Sequence, residues 1–528
     1  MYIENKAWIG MNENGEKICL SPRLANRHGL IAGATGTGKT VTLKVMAETF
    51  SDMGVPVFIA DVKGDIAGLS SPGADSTDMQ KRISDFGLDK AGFEYCAYPV
   101  TFWDIFGQKG IPLRTTISEM GPLLLARALE LSDVQSDILS VIFKIADDNN
   151  LLLIDTKDLK AALNFVDENH KDFEADYGKM SSSSITAIIR AIVALEGRGG
   201  DAFFGETALS ITDWFSLGEG QKGMIHVLDS QSLINDSKLY SVFLLWLLSE
   251  LFETLPEVGD MDKPKMVFFF DEAHLLFNDA PKVLTEKIEQ VVKLIRSKGV
   301  GVYFVTQNPL DIPGGVLSQL GNKVLHALRA YTPADQKSVK AAAESFRVNP
   351  AFDTYDAILS LGTGEAIVSF LEENGEPGVC QKTRILPPHS LMAGIDDNAR
   401  DSLIKQSLLY SKYAQYKDPD SAYEFLMRRG EETAAQKAAE EAEVQKTKLL
   451  EKEQKAMDKK AKQEAAKQAA KEATARNRAL RSVGNTIAGT VGRELGKNMG
   501  SSFGSFGKKL GGNVGASLGR GILSTLFK

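Results

Sequence analysis

The stretch GLIAGATGTGKTVTL, residues 29–43, places Gly33, Gly36 and Gly38 directly before Lys39 and Thr40. Glycine loses more backbone freedom on folding than any other residue, so three in one turn mark a backbone that must wrap closely around something. Their spacing, Gly33-x-x-x-x-Gly38-Lys39-Thr40, is the phosphate-binding P-loop pattern, which belongs between a strand and a helix. HGLIAGA reads as a buried strand, and KTVTLKVMAETF carries apolar residues at helical spacing. In that context the loop N–H groups and the helix N-terminus face phosphate. Lys39 is expected to reach the β- and γ-phosphates, and the Thr40 hydroxyl to ligate Mg²⁺. The nucleotide-binding set is then Gly33, Ala34, Thr35, Gly36, Thr37, Gly38, Lys39, Thr40 and Val41.

The rest of the chain supplies a sheet for this loop. GLIAGA, VPVFIAD, GMIHVLD, KMVFFFDE, GVYFVTQ and EAIVSFL are short apolar runs separated by helical segments. Continuous apolar strands alternating with helices predict an α/β fold with a mostly parallel sheet covered on both faces. Residues 118–197 break the rhythm: EMGPLLLARALELSDVQSDILSVIFKIADD, DTKDLKAALNFVDEN and SSITAIIRAIVALEG all show 3.6-residue periodicity. The predicted organisation is a P-loop core in two parts, 1–117 and 198–395, with a helical insertion at 118–197. A helical extension over 396–430 follows. Residues 431–481, rich in Ala, Glu, Lys and Gln, have high helix propensity but no sustained apolar seam, so they read as a solvated helix or linker. Residues 482–528 are Gly-rich and basic, with Glu494 the one acid.

A P-loop alone admits kinases, GTPases, ATPases and motors, and KMVFFFDEAH narrows the choice. An apolar run ending in Asp271-Glu272 is a Walker B strand, in which Asp271 holds the Mg²⁺ shell. Glu272 beside it is placed to orient and polarise water, which favours ATP hydrolysis over transfer to a hydroxyl. The next strand ends GVYFVTQN, setting Gln307 near the γ-phosphate. Arginine stabilises charge on a transferring phosphoryl group, often from a neighbouring subunit. Arg296 in KLIRSKGVGV and Arg329 in LHALRAYTP are both candidates. IADVKGD, with Asp61, Lys63, Gly64 and Asp65, borders the same crevice and reads either as part of the site or as a loop of solvated charges. The six histidines are scattered and receive no catalytic role.

The formal charge of −8 over 528 residues argues against a surface generally coated by nucleic acid, while saying nothing of a local patch or pore. Three distant cysteines, Cys19, Cys96 and Cys380, encode neither a disulfide framework nor a zinc site and fit a reducing cytoplasm. MYIENKAWIG shows no secretory signal. VFLLWLLSELF at 242–252 is too short to span a bilayer and reads as a buried helix.

NRHGLIAGATGTGKT, VFFFDEAHLLF, LIRSKGVGVYFVTQNP and LGNKVLHALRAYTP together resemble the HerA/FtsK superfamily of RecA-like ATPases, and within it a bacterial HerA-like (YjgR-type) group. ISEMGPLLLARAL and LYSVFLLWLLSELFE extend the likeness over about residues 1–395. The resemblance implies a RecA-like P-loop fold and a ring, a homo-hexamer, that pumps double-stranded DNA. It carries the nucleotide-site roles onto Lys39, Thr40, Asp271, Glu272 and Gln307, and the trans-acting arginine onto Arg296 or Arg329. HerA carries a β-barrel before its P-loop, whereas 28 residues precede GLIAGATG here, and no barrel is expected. The expected function is Mg²⁺-dependent ATP hydrolysis driving DNA translocation. The alternative is a nucleotide-switched assembly ATPase acting on a protein or membrane partner. The basic tail, with Gly492, Gly496, Gly500 and Gly504 every fourth residue, suits a membrane surface, nucleic acid or a protein partner.

Overall fold

The computed structural model describes residues 1–259, 261–277 and 282–480, so the Gly-rich basic tail at 482–528 lies outside the described residues. Thirteen strands among these form one sheet: β1 (Tyr2–Ile3), β2 (Lys6–Asn12), β3 (Lys17–Leu20), β4 (Gly29–Ala32), β5 (Val57–Asp61), β6 (Val100–Asp104), β7 (Ile111–Pro112), β8 (Ile225–Asp229), β9 (Met266–Phe270), β10 (Val300–Thr306), β11 (Asn322–His326), β12 (Glu365–Ser369) and β13 (Gln381–Ile385). Their order across the sheet is β1-β2-β13-β12-β11-β4-β10-β9-β5-β8-β6-β7, with β3 paired to β2. From β11 to β7 every neighbour is parallel. The β11–β12, β12–β13, β13–β2, β2–β1 and β2–β3 pairs are antiparallel. The result is a mixed α/β fold with a large, mostly parallel sheet.

The parallel strands are unbroken apolar runs because both of their faces are covered. On β9, Phe269 packs towards one face, with ring centroids 6.2 Å from Phe50 and 5.2 Å from Tyr303. Phe268 and Phe270 point to the other face and meet Phe58 at 5.3 and 6.4 Å. Helix α1 (Lys39–Asp52) follows the P-loop and is buried along most of its length, including Lys44, Glu48 and Thr49. The apolar run at 242–252 lies in the helix Ser237–Thr254, where Phe243 and Trp246 close on Phe203 at 5.8 and 5.4 Å. No helix of the described residues is long and apolar enough to cross a membrane.

Between Ile117 and Glu196 the chain runs through the helices Ile117–Ala128, Asp133–Asp148, Thr156–Glu168, His170–Tyr177 and Ser182–Glu196. The helix Ala422–Leu480 starts against this group. Asp158 accepts from Ser421 Oγ at 2.5 Å and Tyr423 N at 2.9 Å, and Lys157 Nζ lies 3.0 Å from Glu424 Oε1. From residue 430 to 472 every residue is exposed, in a rod that rises about 1.5 Å per residue.

One expectation needs correction. EAIVSFL forms β12, but antiparallel to both β11 and β13. Its apolar run reports burial on both faces, which carries no information on strand direction. Ahead of the P-loop strand, β1, β2 and β3 extend the antiparallel edge, with β2 docked on β13. Short strands with polar edges, such as KICL and QKTRI, lack the apolar continuity that exposed the central ones.

Candidate nucleotide site

At the carboxyl end of β4 the chain reverses through Gly33, Gly36 and Gly38, whose φ angles are 154°, 77° and 116°. A side chain is excluded at Gly33, where a Cβ would sit 2.5 Å from His326 Cβ, and at Gly38, where it would meet the Gly364 backbone at 3.2 Å. At Gly36 nothing lies within 4 Å, so that face of the loop stands open. The loop is tied to its neighbours by Gly33 N donating to Thr306 O (3.3 Å) and Ala34 N donating to Ala327 O (2.8 Å). Within the loop, Thr37 Oγ1 donates to Ala34 O at 2.7 Å. Lys39 Nζ donates to Gly33 O at 2.6 Å and to Ala34 O at 3.1 Å. Burial holds the Lys39 amine below its ordinary pKa, reinforced by the Lys63 charge and offset by Glu272 and Asp271.

The second half of the site comes from β9, separated from β4 by β10 alone. Asp271 follows β9 directly and is 4% exposed. Burial pushes its carboxyl up to about 6, with Lys63 pulling it down and Glu272 pushing it further up. Glu272 takes φ 47°, ψ 46°, a left-handed conformation that costs a non-glycine residue energy and recurs at functional positions. Its Oε1 lies 2.5 Å from Lys63 Nζ, while Oε2 accepts from Gln307 Nε2 at 3.3 Å. His274 Nδ1 also stands 3.3 Å from Oε2, at an angle that makes no hydrogen bond. Burial alone would raise the Glu272 carboxyl, but the Lys63 hydrogen bond and charge, with Gln307, hold it below the usual range.

Lys63 reaches Glu272 because Asp61 shapes its loop. The buried Asp61 carboxylate accepts backbone N–H groups of Lys63 (3.1 Å), Gly64 (2.8 Å) and Ile66 (3.1 Å). Burial nevertheless pushes Asp61 up to about 7. The reading of IADVKGD as merely solvated charges therefore fails, since Asp61 is interior and Lys63 is engaged.

Above the P-loop opens a cavity of about 700 Å³. One wall is Thr35, Gly36, Gly38, Lys39, Thr40, Val41 and Lys63; the other is helix α2 (Thr77–Phe86) with Arg82, Gly364, Arg384, Pro387 and Met392. Arg384 Nη1 pairs with Asp85 Oδ2 at 3.3 Å, and burial, then the Arg384 charge, holds Arg82 below its ordinary pKa. The wall segment is fastened to α1 from inside: Lys44 Nζ donates to Leu391 O (2.8 Å) and Met392 O (3.0 Å), and Glu48 accepts from His389 N (2.9 Å) and Ser390 N (3.0 Å). Lys44, Glu48, Arg82 and Arg384 escape sequence reasoning because their partners lie hundreds of residues away. A lysine and a glutamate on the buried face of an otherwise apolar helix are the one signal available.

His326 escapes it too. Its Nδ1 is 2.8 Å from Glu365 O, which only accepts, so Nδ1 donates, and Nε2 accepts from Thr42 Oγ1 at 2.7 Å. That pattern needs the neutral ring, and burial pushes its pKa down to about 4. An unfolded histidine titrates near 6.5, so the unfolded chain takes up the proton first. Stability from His326 is thus fully present above pH ~6.5 and falls as pH drops towards 4, by about 3 kcal/mol in all. In denaturant melts at pH 7 and pH 5, His326→Gln should show a smaller loss on acidification than wild type. Equal losses would mean that His326 is not held neutral.

The structure brings Lys39, Lys63, Asp271, Glu272 and Gln307 into one electrostatic cluster. The two arginines stand apart and neither lines the cavity. Arg329 is exposed three residues beyond β11, on the same edge of the sheet as the P-loop. Arg296, also exposed, opens the turn Arg296–Lys298 before the amino end of β10, on the opposite edge. Thr40 and Asp271 offer one hydroxyl and one carboxylate, hard oxygen donors in the small number Mg²⁺ uses when phosphates and water complete its shell. Burial and Glu272 disfavour ionisation of Asp271, and a divalent cation reverses that bias. These residues fit the ion. No cluster of three or more His, Cys, Asp or Glu among the described residues forms a protein-only metal cage.

The chain has counterparts among known proteins. Residues 6–510 match the helicase HerA-like C-terminal family. The chain belongs to that family. The match continues beyond residue 395 and takes in the long exposed helix. The DNA double-strand break repair helicase HerA of Sulfolobus acidocaldarius is 24% identical over 359 residues, which are 67% of this chain and 63% of that protein. The probable helicase MJECL08 of Methanocaldococcus jannaschii is 32% identical over 154 residues, 27% of this chain and 28% of that protein. The chain thus spans somewhat under two thirds of the first of these relatives. VirB4 of Thermoanaerobacter pseudethanolicus superposes with a TM-score of 0.47 at 14% identity, covering 72% of this chain and 97% of that one. The P-loop and the Asp271-Glu272 pair both lie inside the matched residues.

Proposed function

We propose that the protein hydrolyses ATP in a Mg²⁺-dependent reaction and uses it to move double-stranded DNA through a homo-hexameric ring. The observation that carries the reading is Glu272: a carboxylate held ionised at the tip of the Walker B strand, with Gln307 on one oxygen. In this reading Lys39 and the loop N–H groups of residues 33–41 bind the phosphates. Glu272 orients the attacking water and takes its proton, and Gln307 relates the state of that carboxylate to the end of β10. Mg²⁺ held by Thr40 and Asp271 supplies charge compensation for the phosphates. Arg296 or Arg329 of a neighbouring subunit completes the site. Family membership supports DNA as the cargo, as do the names of the relatives.

Turnover should rise when double-stranded DNA is added at low salt, in assemblies whose mass with ATP equals six chains. That stimulation should fade steeply as salt increases, because phosphate contacts release counterions. A rate that stays flat across DNA, RNA and no polymer transfers the reading to a nucleotide-switched assembly ATPase. The net charge of −8 and the rod exposed along residues 431–472 favour that second reading.

A further inference from the structure

We propose that Lys63 restrains hydrolysis by occupying Glu272, so that the carboxylate is withheld from water until Lys63 lets go. Glu272 has two oxygens and both are engaged: Gln307 donates to Oε2, and Oε1 belongs to the Lys63 ammonium at 2.5 Å. An ammonium on a carboxylate lowers its basicity and blocks the lone pair that water would use. The grip comes from a loop built to aim it. Asp61 ties down the backbone N–H of Lys63 itself and of Gly64 and Ile66. Gly64 turns at φ 81°, a backbone conformation that strains other residues, and packs against the Gln231 side chain. Gln231 in turn accepts from Lys109 Nζ at 3.0 Å, so the loop is braced from the carboxyl ends of the neighbouring strands.

The same contact is made to be released. The Lys63 side chain is 40% exposed against 6% for Glu272, and it lines the cavity that holds the P-loop. Its charge already reaches both Lys39 and Asp271. Phosphates on the loop therefore compete with Glu272 for one mobile ammonium. Lys63 acts through Glu272 and is a positioning residue. The inference rests on the reading that Glu272 orients the attacking water.

The test is steady-state ATP hydrolysis by the full-length chain without polymer. It compares wild type, Lys63→Met, Lys63→Ala, Lys63→Arg, Glu272→Gln and the Lys63→Met/Glu272→Gln pair. Removing a half-exposed ion pair should raise kcat about fivefold in Lys63→Met and Lys63→Ala. Lys63→Arg should restore the restrained rate, which a merely disturbed loop would not do. The double variant should be as inactive as Glu272→Gln alone, because the gain runs through that carboxylate. An unchanged or reduced kcat in Lys63→Met overturns the proposal, and so does a gain that Lys63→Arg keeps or that survives in the double variant. Wild-type turnover by Glu272→Gln sinks the underlying reading instead, whatever Lys63 does.

Discussion

Glu272→Gln should bind ATP normally and hydrolyse it slower by about two to four orders of magnitude, the usual contribution of a positioned proton acceptor. Three features of the site make this sharp. The carboxylate is held ionised beside an interior Asp271 whose own ionisation burial opposes, so of the two it is the one charged to accept a hydrogen bond from water. Its left-handed backbone fixes where it points. The amide of glutamine keeps nearly the same shape and leaves the P-loop, Lys39 and Thr40 untouched, so binding survives. Lys39→Ala should behave in the opposite sense and weaken nucleotide binding itself, because it removes the one ammonium set among the loop carbonyls. Equilibrium binding of a fluorescent ATP analogue, measured beside phosphate release, separates the two. Hydrolysis at the wild-type rate by Glu272→Gln would remove that carboxylate from the reaction.

The trans-acting arginine should show a comparably large effect. An arginine supplied to a phosphoryl group by a neighbour typically contributes about three to five orders of magnitude. Alanine at whichever of Arg296 and Arg329 fills this role should leave ATP bound and unhydrolysed. Mixing that variant with Glu272→Gln should then recover activity, since some interfaces pair an intact carboxylate with an intact arginine. The two arginines lie on opposite edges of the sheet, so the outcome also reports which edge faces the neighbour's P-loop. Assembled mixtures that recover nothing with either arginine would place both outside the catalytic site.

Much of this site was legible in the sequence for a local reason. A P-loop and a Walker B strand are continuous segments whose chemistry is set by spacing: three glycines take left-handed or near-extended turns, and an apolar run ends in two acids. The six runs read as strands all lie in the sheet, since burial on both faces leaves a direct mark on composition. What resisted reading is non-local. The direction of β12 depends on its partners, and β2 and β13 find each other across about 370 residues. His326 is an ordinary strand-end histidine until β11 pairs with β4 and sets it beneath Gly33. Lys44 and Glu48 look like helix-surface charges until the 389–392 segment crosses over them.

By itself, then, the sequence determined that the chain turns sharply through Gly33, Gly36 and Gly38, that Asp271 and Glu272 end a buried strand, and that the core is a largely parallel α/β sheet. These follow from backbone freedom, periodicity and the cost of burying polar groups, all of which act over a few residues. The tertiary structure alone decided what surrounds those groups: Lys63 on Glu272, Gln307 on the other oxygen, and a second cationic wall carried by α2 and β13. A carboxylate's protonation depends on the charges and burial within a few ångströms of it, and only the folded chain brings residues 63, 272 and 307 that close.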